Sequence, residues 1–203
     1  MEATSEYCEN ELKLVQAESS VPSVSFELSE RKNQVIAKLN PLFPPDDCGP
    51  YFFFGWSNKY HPNLKLTYYD ETRCMIVADR LSTRIAINKQ GQILLENETL
   101  VDSLEQISST IAKGLVNNYL NNDSPGEIIL SWQAGTQIAL LDSVIDQSVK
   151  GYLKAARIAS TSILNKDLCD LEAANLKKLK EAFPFIFIIN HTRKENPVPT
   201  PAE

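Results

Sequence analysis

The chain has 203 residues, 43% of them hydrophobic and 23% charged, with a net charge of −6. Those figures allow one core with tails and exclude fibre, collagen and wholesale disorder. The acidity disfavours general nucleic-acid binding, because phosphates would be repelled, and no apolar run approaches the ~18 residues needed to cross a membrane.

Residues 1–20 carry Glu2, Glu6, Glu9, Glu11 and Glu18 against Lys13 alone, with only Leu12, Leu14 and Val15 clustered. This composition predicts an acidic arm that is disordered or folds on a partner. Glutamates also stand where a secretory leader would need a basic start and an apolar run, so a cytoplasmic protein is expected. Val24, Phe26 and Leu28 alternate with Ser25 and Glu27, which predicts a short strand or an extended lead-in. Ser29 can cap a helix running to about Asn40, where Pro41 stops it.

Pro44 to Pro50 reads as a loop. Five short segments rich in aromatic or branched residues follow: Tyr51–Trp56, Leu64–Tyr69, Cys74–Ala78, Arg84–Asn88 and Gln92–Glu96. Turn residues separate each pair, which predicts a strand meander. Leu64, Leu66 and Tyr68 fall on one face of their strand and Lys65 and Thr67 on the other, as in a sheet with one wet side.

Thr99 and Asp102 resemble a capping box for a helix carried by Leu100, Leu104, Ile107, Ile111, Leu115 and Tyr119. Glu127–Trp132 reads as a strand. Helices are expected over about Thr136–Leu164 and Asp167–Ala182. Gly114 and Gly151, inside these helices, suggest close helix packing. Phe185–Ile189 is apolar on both faces and predicts a buried central strand. Residues 191–203, with Pro197, Pro199 and Pro201, read as a disordered, proline-rich tail.

The fold class expected is α+β: an antiparallel meander sheet with helices packed on one face. The domain reading is an arm over 1–20, a single α+β domain over 21–190 and a tail over 191–203.

Chemistry is harder to find. Cys8, Cys48, Cys74 and Cys169 are far apart in sequence, with no C-x-x-C pair, and in a cytoplasmic protein reduced thiols are expected. Cys48 and His61 could meet as nucleophile and base, but no local signature surrounds either, and a surface histidine is the simpler reading. Asp142 with Asp146, and Asp167 with Asp170, are spaced as helical carboxylate pairs. Lys150 follows Asp146 at i+4, which suggests ion pairing on a wet face. Lys150, Lys154 and Arg157 form a basic line, and Lys177, Lys178 and Lys180 cluster; both read as solvated faces. No phosphate-binding glycine loop or metal-ligand spacing occurs, and no cofactor or metal is expected.

The hairpin aromatics are the remaining candidates. A strand carries side chains on both faces, so Tyr51–Trp56 cannot hide every ring in one core. Tyr51, Phe53, Trp56, Tyr60 and Tyr69 are the expected partner-binding residues. A non-enzymatic adaptor or chaperone holding a protein partner or its unstructured tail is expected. The alternative is a small enzyme or ligand sensor with a pocket near the 51–69 hairpin.

A helix at Ser29–Asn40, a sheet from Tyr51 and a helix at Leu100–Leu120, in a small acidic chain, resemble bacterial secretion chaperones and the adaptor subunits of type IV coupling complexes. The resemblance spans Ser29–Leu130 in element order and charge. It implies a hetero-complex with the tail of a secretion coupling ATPase or with other adaptors, without catalysis, nucleic acid or membrane insertion.

Overall fold

The computed structural model describes residues 7–30, 32–43, 51–69, 81–96, 99–122 and 124–191. Cys48, the expected 44–50 loop, the expected strand Cys74–Ala78 and the tail from Thr192 lie outside the described residues.

Seven strands form one mixed sheet: β1 (Tyr51–Trp56), β2 (Leu64–Tyr69), β3 (Ser82–Ile87), β4 (Ile93–Leu95), β5 (Thr99–Leu100), β6 (Glu127–Trp132) and β7 (Phe187–His191). Their spatial order is β1-β2-β7-β6-β3-β4-β5. The four inner strands β2, β7, β6 and β3 run parallel, and β1 and the β4–β5 pair flank them antiparallel.

The expectation of an antiparallel meander is therefore corrected. Turn residues do set the β1–β2 and β3–β4–β5 hairpins, but β6 and β7 enter between β2 and β3. Nothing local to a turn encodes that insertion. The doubly apolar stretch at Phe187–Ile189 does, because a strand flanked by parallel neighbours is buried on both faces. Parallel pairs need long crossovers. Helix α3 (Leu104–Asn122) joins β5 to β6, and α4 (Ile138–Leu164) with α5 (Ala173–Ala182) joins β6 to β7. The expected capping box at Thr99 is also corrected: Thr99–Leu100 is β5, paired to β4, and α3 begins at Leu104.

Strand register aligns one apolar row across the sheet: Phe52, Tyr68, Ile189, Leu130, Ile85 and Leu95. All six are essentially sealed from water. Helix α3 packs against this face at Gly114, where a Cβ would lie 2.9 Å from Thr83 Oγ1. Helix α4 crosses α3 at Gly151, where a Cβ would lie 2.8 Å from both Ile111 Cβ and the Ser108 carbonyl. The glycine at that crossing lets two helix backbones approach. Tyr152, next along α4, donates from its hydroxyl to the Phe183 carbonyl at 2.9 Å, and burial pushes its phenol far above the ordinary tyrosine range.

Nor is the acidic arm unstructured over its described residues. Residues Glu9–Val15 form helix α1, which buries Leu14 and Val15 in the core. The chain continues along the hairpin: Gln16 bridges Leu64, and the Ala17 N–H donates to the Asn63 carbonyl at 2.9 Å. Val24, Phe26 and Leu28 are buried with Ser25 and Glu27 exposed, as the alternation predicts. They form an extended lead-in beside β1, ahead of helix α2 (Lys32–Leu39). Low apolar content does not announce residues 7–20, because the segment is fixed largely by polar and covalent ties to distant parts of the chain.

Candidate functional site

The β1–β2 hairpin sorts its aromatics by strand alternation. Phe52, Phe54, Trp56 and Tyr68 point into the core, and the Trp56 indole N–H donates to the Phe26 carbonyl at 3.0 Å. Phe53, on the opposite face, is 43% exposed, with the Lys65 ammonium 5.9 Å from its ring centroid. Tyr60, in the connecting loop, is 42% exposed and has the Lys59 ammonium 4.6 Å from its ring. A side-chain hydrogen bond with Tyr60 raises the Lys59 pKa against an opposing effect of desolvation, with Asp142 adding to the rise.

Of the expected partner-binding residues, Phe53 and Tyr60 are on the surface. Trp56 is not, and its place in that set is corrected: even-numbered positions of β1 face the core. The side chains of Tyr51 and Tyr69 lie outside the described ones.

The row behind Phe53 runs through Thr67, Ile188 and Ile129 to Arg84. Thr67 and Ile188 are buried, Ile129 is half-buried and Arg84 is exposed. Large apolar exposure on this face lies at its two edges, at Phe53 on β1 and at Leu100 on β5.

The hairpin loop is seated on α4 by polar side chains. Asn58 Oδ1 accepts the backbone N–H groups of Tyr60 at 3.0 Å and His61 at 2.8 Å, an Asx turn that shapes the loop. Asn58 Nδ2 donates to Asp142 Oδ1 at 3.2 Å. One helical turn on, Asp146 Oδ1 lies 3.2 Å from His61 Nε2, and Lys150 Nζ lies 3.1 Å from Asp146 Oδ2. Burial raises the Asp146 pKa, but the bonds to His61 and Lys150 outweigh it and hold the carboxyl below its ordinary value. The Tyr7 ring stands 6.0 Å from His61.

The expected pairing of Asp146 with Lys150 is present, but the face is not wet: Asp146 and His61 are both buried. Nor is His61 a surface histidine. The sequence gives no sign of this, since only the docking of the loop onto α4 buries it. Asp142 and Asp146 each hold the hairpin loop, through Asn58 and His61 respectively. Asp167 Oδ1 accepts the Cys169 N–H at 2.8 Å and so caps the 3₁₀ turn Leu168–Asp170.

The basic line on α4 is likewise engaged. Lys150 pairs with Asp146, Lys154 Nζ donates to Ser108 Oγ at 3.0 Å, and Arg157 Nη2 lies 2.6 Å from the buried Glu11 carboxylate. Lys154 and Arg157 are exposed, as a solvated face requires, and their side chains also reach α3 and α1.

Cys8 and Cys169 form a disulfide, with Cα atoms 5.9 Å apart and 161 positions apart in sequence. This corrects the expectation of reduced thiols for that pair; separation in sequence carries no information on distance in space. Asn10 Nδ2 donates to the carbonyls of Leu168 at 3.0 Å, Cys169 at 3.3 Å and Leu171 at 2.9 Å. The ligand atoms of Cys8, Glu11 and Cys169 lie within 4.8 Å of one another. Those sulfurs are bonded to each other, and Glu11 is occupied by Arg157 and by the Cys8 N–H at 3.0 Å.

Among the described residues, no helix is long and apolar enough to cross a membrane. Comparison of the chain with protein-family models, curated proteins and solved structures finds no match in any of the three.

Proposed function

We propose that this chain is a non-enzymatic adaptor or chaperone that binds a protein partner or its unstructured segment at the outer side of the β1–β2 hairpin. The observation that carries the reading is the split of the hairpin aromatics. Four described rings are buried, while Phe53 and Tyr60 stand exposed, each with a lysine beside it. Exposed aromatics on a rigid frame are the residue type that concentrates binding energy. The polar seat on α4 supplies that rigidity at the loop. The histidine and aspartates that might have served chemistry are instead engaged in fixing it.

The finer reading is an adaptor of a type IV secretion coupling complex, acting in the cytoplasm in a hetero-complex with the coupling ATPase tail or other adaptors. It rests on the element order over Ser29–Leu130 and on acidity. A cytoplasmic setting would require the Cys8–Cys169 bond to be transient, since reducing compartments keep thiols reduced.

Photo-crosslinking from positions 53 and 60 in native lysate tests the binding reading. A discrete protein adduct is expected, and the double variant Phe53→Ala, Tyr60→Ala should lose that partner with its melting temperature unchanged. The reading fails if the double variant keeps full partner capture. It also fails if Asp142→Asn abolishes biological activity while binding and stability stay normal, which is how an active-site residue behaves.

A further inference from the structure

We propose that the Cys8–Cys169 disulfide is a thiol-responsive latch governing how residues 7–17 pack on the 3₁₀ turn and the hairpin. The inference is independent of the binding reading. Three ties hold the start of this segment, and they are gathered at one place. The disulfide fixes Cys8 to the turn, Asn10 donates to the carbonyls of Leu168, Cys169 and Leu171, and Glu11 meets Arg157. Beyond them Leu14 and Val15 enter the core, and Gln16 and Ala17 join the hairpin at Leu64 and Asn63. The segment thus works as a strap with its clasp at Cys8.

Cys169 is exposed and Cys8 half-buried, so the clasp is open to solvent. Exposed disulfides are the ones that exchange with thiols, whereas buried ones resist reduction. The thiolate of a small external thiol attacks Cys169 Sγ, the S–S bond breaks, and Cys8 departs as a thiolate that takes a proton from water. A second external thiol attacks the mixed disulfide and releases Cys169 as a thiol. The protein gains two electrons and two protons, and the two external thiols leave joined as one disulfide. A metal ion at Cys8, Glu11 and Cys169 would have to displace the Arg157 cation from Glu11, which argues for thiol exchange over metal binding here.

With the clasp open, only non-covalent ties remain at that end, and local opening of a segment is governed by such ties. Hydrogen exchange on the full chain, oxidised and then treated with reduced glutathione, reads this directly. Peptide mapping with an alkylating reagent follows Cys8 and Cys169 separately from Cys48 and Cys74. The expected result is alkylation of both cysteines and a rise of about tenfold or more in exchange for residues 7–17. Strands β3, β6 and β7 should be unchanged, and oxidised glutathione should restore protection. Cys8→Ser and Cys169→Ser should each mimic the reduced state. Three results would overturn the latch: a disulfide that resists glutathione, exchange in 7–17 that does not respond to reduction, or loss of protection across the whole sheet. The last would make the bond a staple of the entire fold.

Discussion

Asp146 is buried between the Lys150 ammonium and the His61 ring, and its carboxylate ties the hairpin loop to α4. A carboxyl held below its ordinary pKa in the folded state stabilises the fold above the unfolded value, and that contribution is lost as pH falls through the folded value. Asp146→Asn should therefore cost about 2 kcal/mol at pH 7, since it removes the carboxylate charge that Lys150 faces. The gap between variant and wild type should narrow as pH drops below ~4. Denaturant midpoints at both pH values check this, and a constant gap would show that the charge is irrelevant. Of this cluster, only the Asp146–Lys150 spacing is legible in the sequence. His61 belongs to it through tertiary docking alone. Gly151 was legible as a packing mark, and its geometry makes a graded prediction. Alanine at Gly151 meets Ile111 Cβ and a backbone carbonyl, so overpacking of about 1–3 kcal/mol should outweigh the ~1 kcal/mol gained in helix propensity. Alanine at Gly114 meets one side-chain atom, Thr83 Oγ1, and no backbone, so its melting temperature should fall less.

At the level of elements, strands and long helices announce themselves through periodicity, and short elements held by distant partners do not. The segments Tyr51–Trp56, Leu64–Tyr69 and Glu127–Trp132 are strands over the residues that alternation and turn chemistry indicate. Helix α4 ends at Leu164 as its apolar stripe does, with Asn165 in the left-handed conformation as its cap. Helix α1 escapes such a reading because seven residues cannot establish a periodic stripe, and its anchors lie on the far side of the chain. Its burial changes what truncation should do. Deleting residues 1–17 removes Leu14 and Val15 from the core, at roughly 1.5–3 kcal/mol each, and leaves Arg157 without Glu11. The truncated chain should melt at a markedly lower temperature than wild type under reducing conditions, where the disulfide makes no difference. An unchanged melting temperature would mean that α1 contributes nothing to the core it touches. The hairpin splits the same way: alternation tells that some rings must face outward, whereas register decides that Phe53 does and Trp56 does not.

Across the molecule, the sheet is closed by its last strand. β7 lies between β2 and β6, so the β1–β2 hairpin reaches the β6-β3-β4-β5 half of the sheet only through a strand that arrives at residue 187. Sequence shows that this stretch is apolar on both faces and must be buried, but not between which neighbours. The choice depends on the crossovers of α3, α4 and α5, and turn chemistry is silent about them. The consequence is sharp. A chain ending at Pro184 lacks Phe185, Phe187, Ile188 and Ile189, all buried, and their burial at roughly 1.5–3 kcal/mol each is comparable to a whole domain's stability of about 5–15 kcal/mol. It also leaves β2 and β6 with unpaired backbone groups along a buried edge, which costs further. Such a chain should show no cooperative thermal transition, whereas one ending at Thr192 should retain it. Should the shorter chain melt cooperatively with native helix content by circular dichroism, β2 and β6 would have to be able to close on each other, and the central place of β7 would not be what holds the two halves of the sheet together.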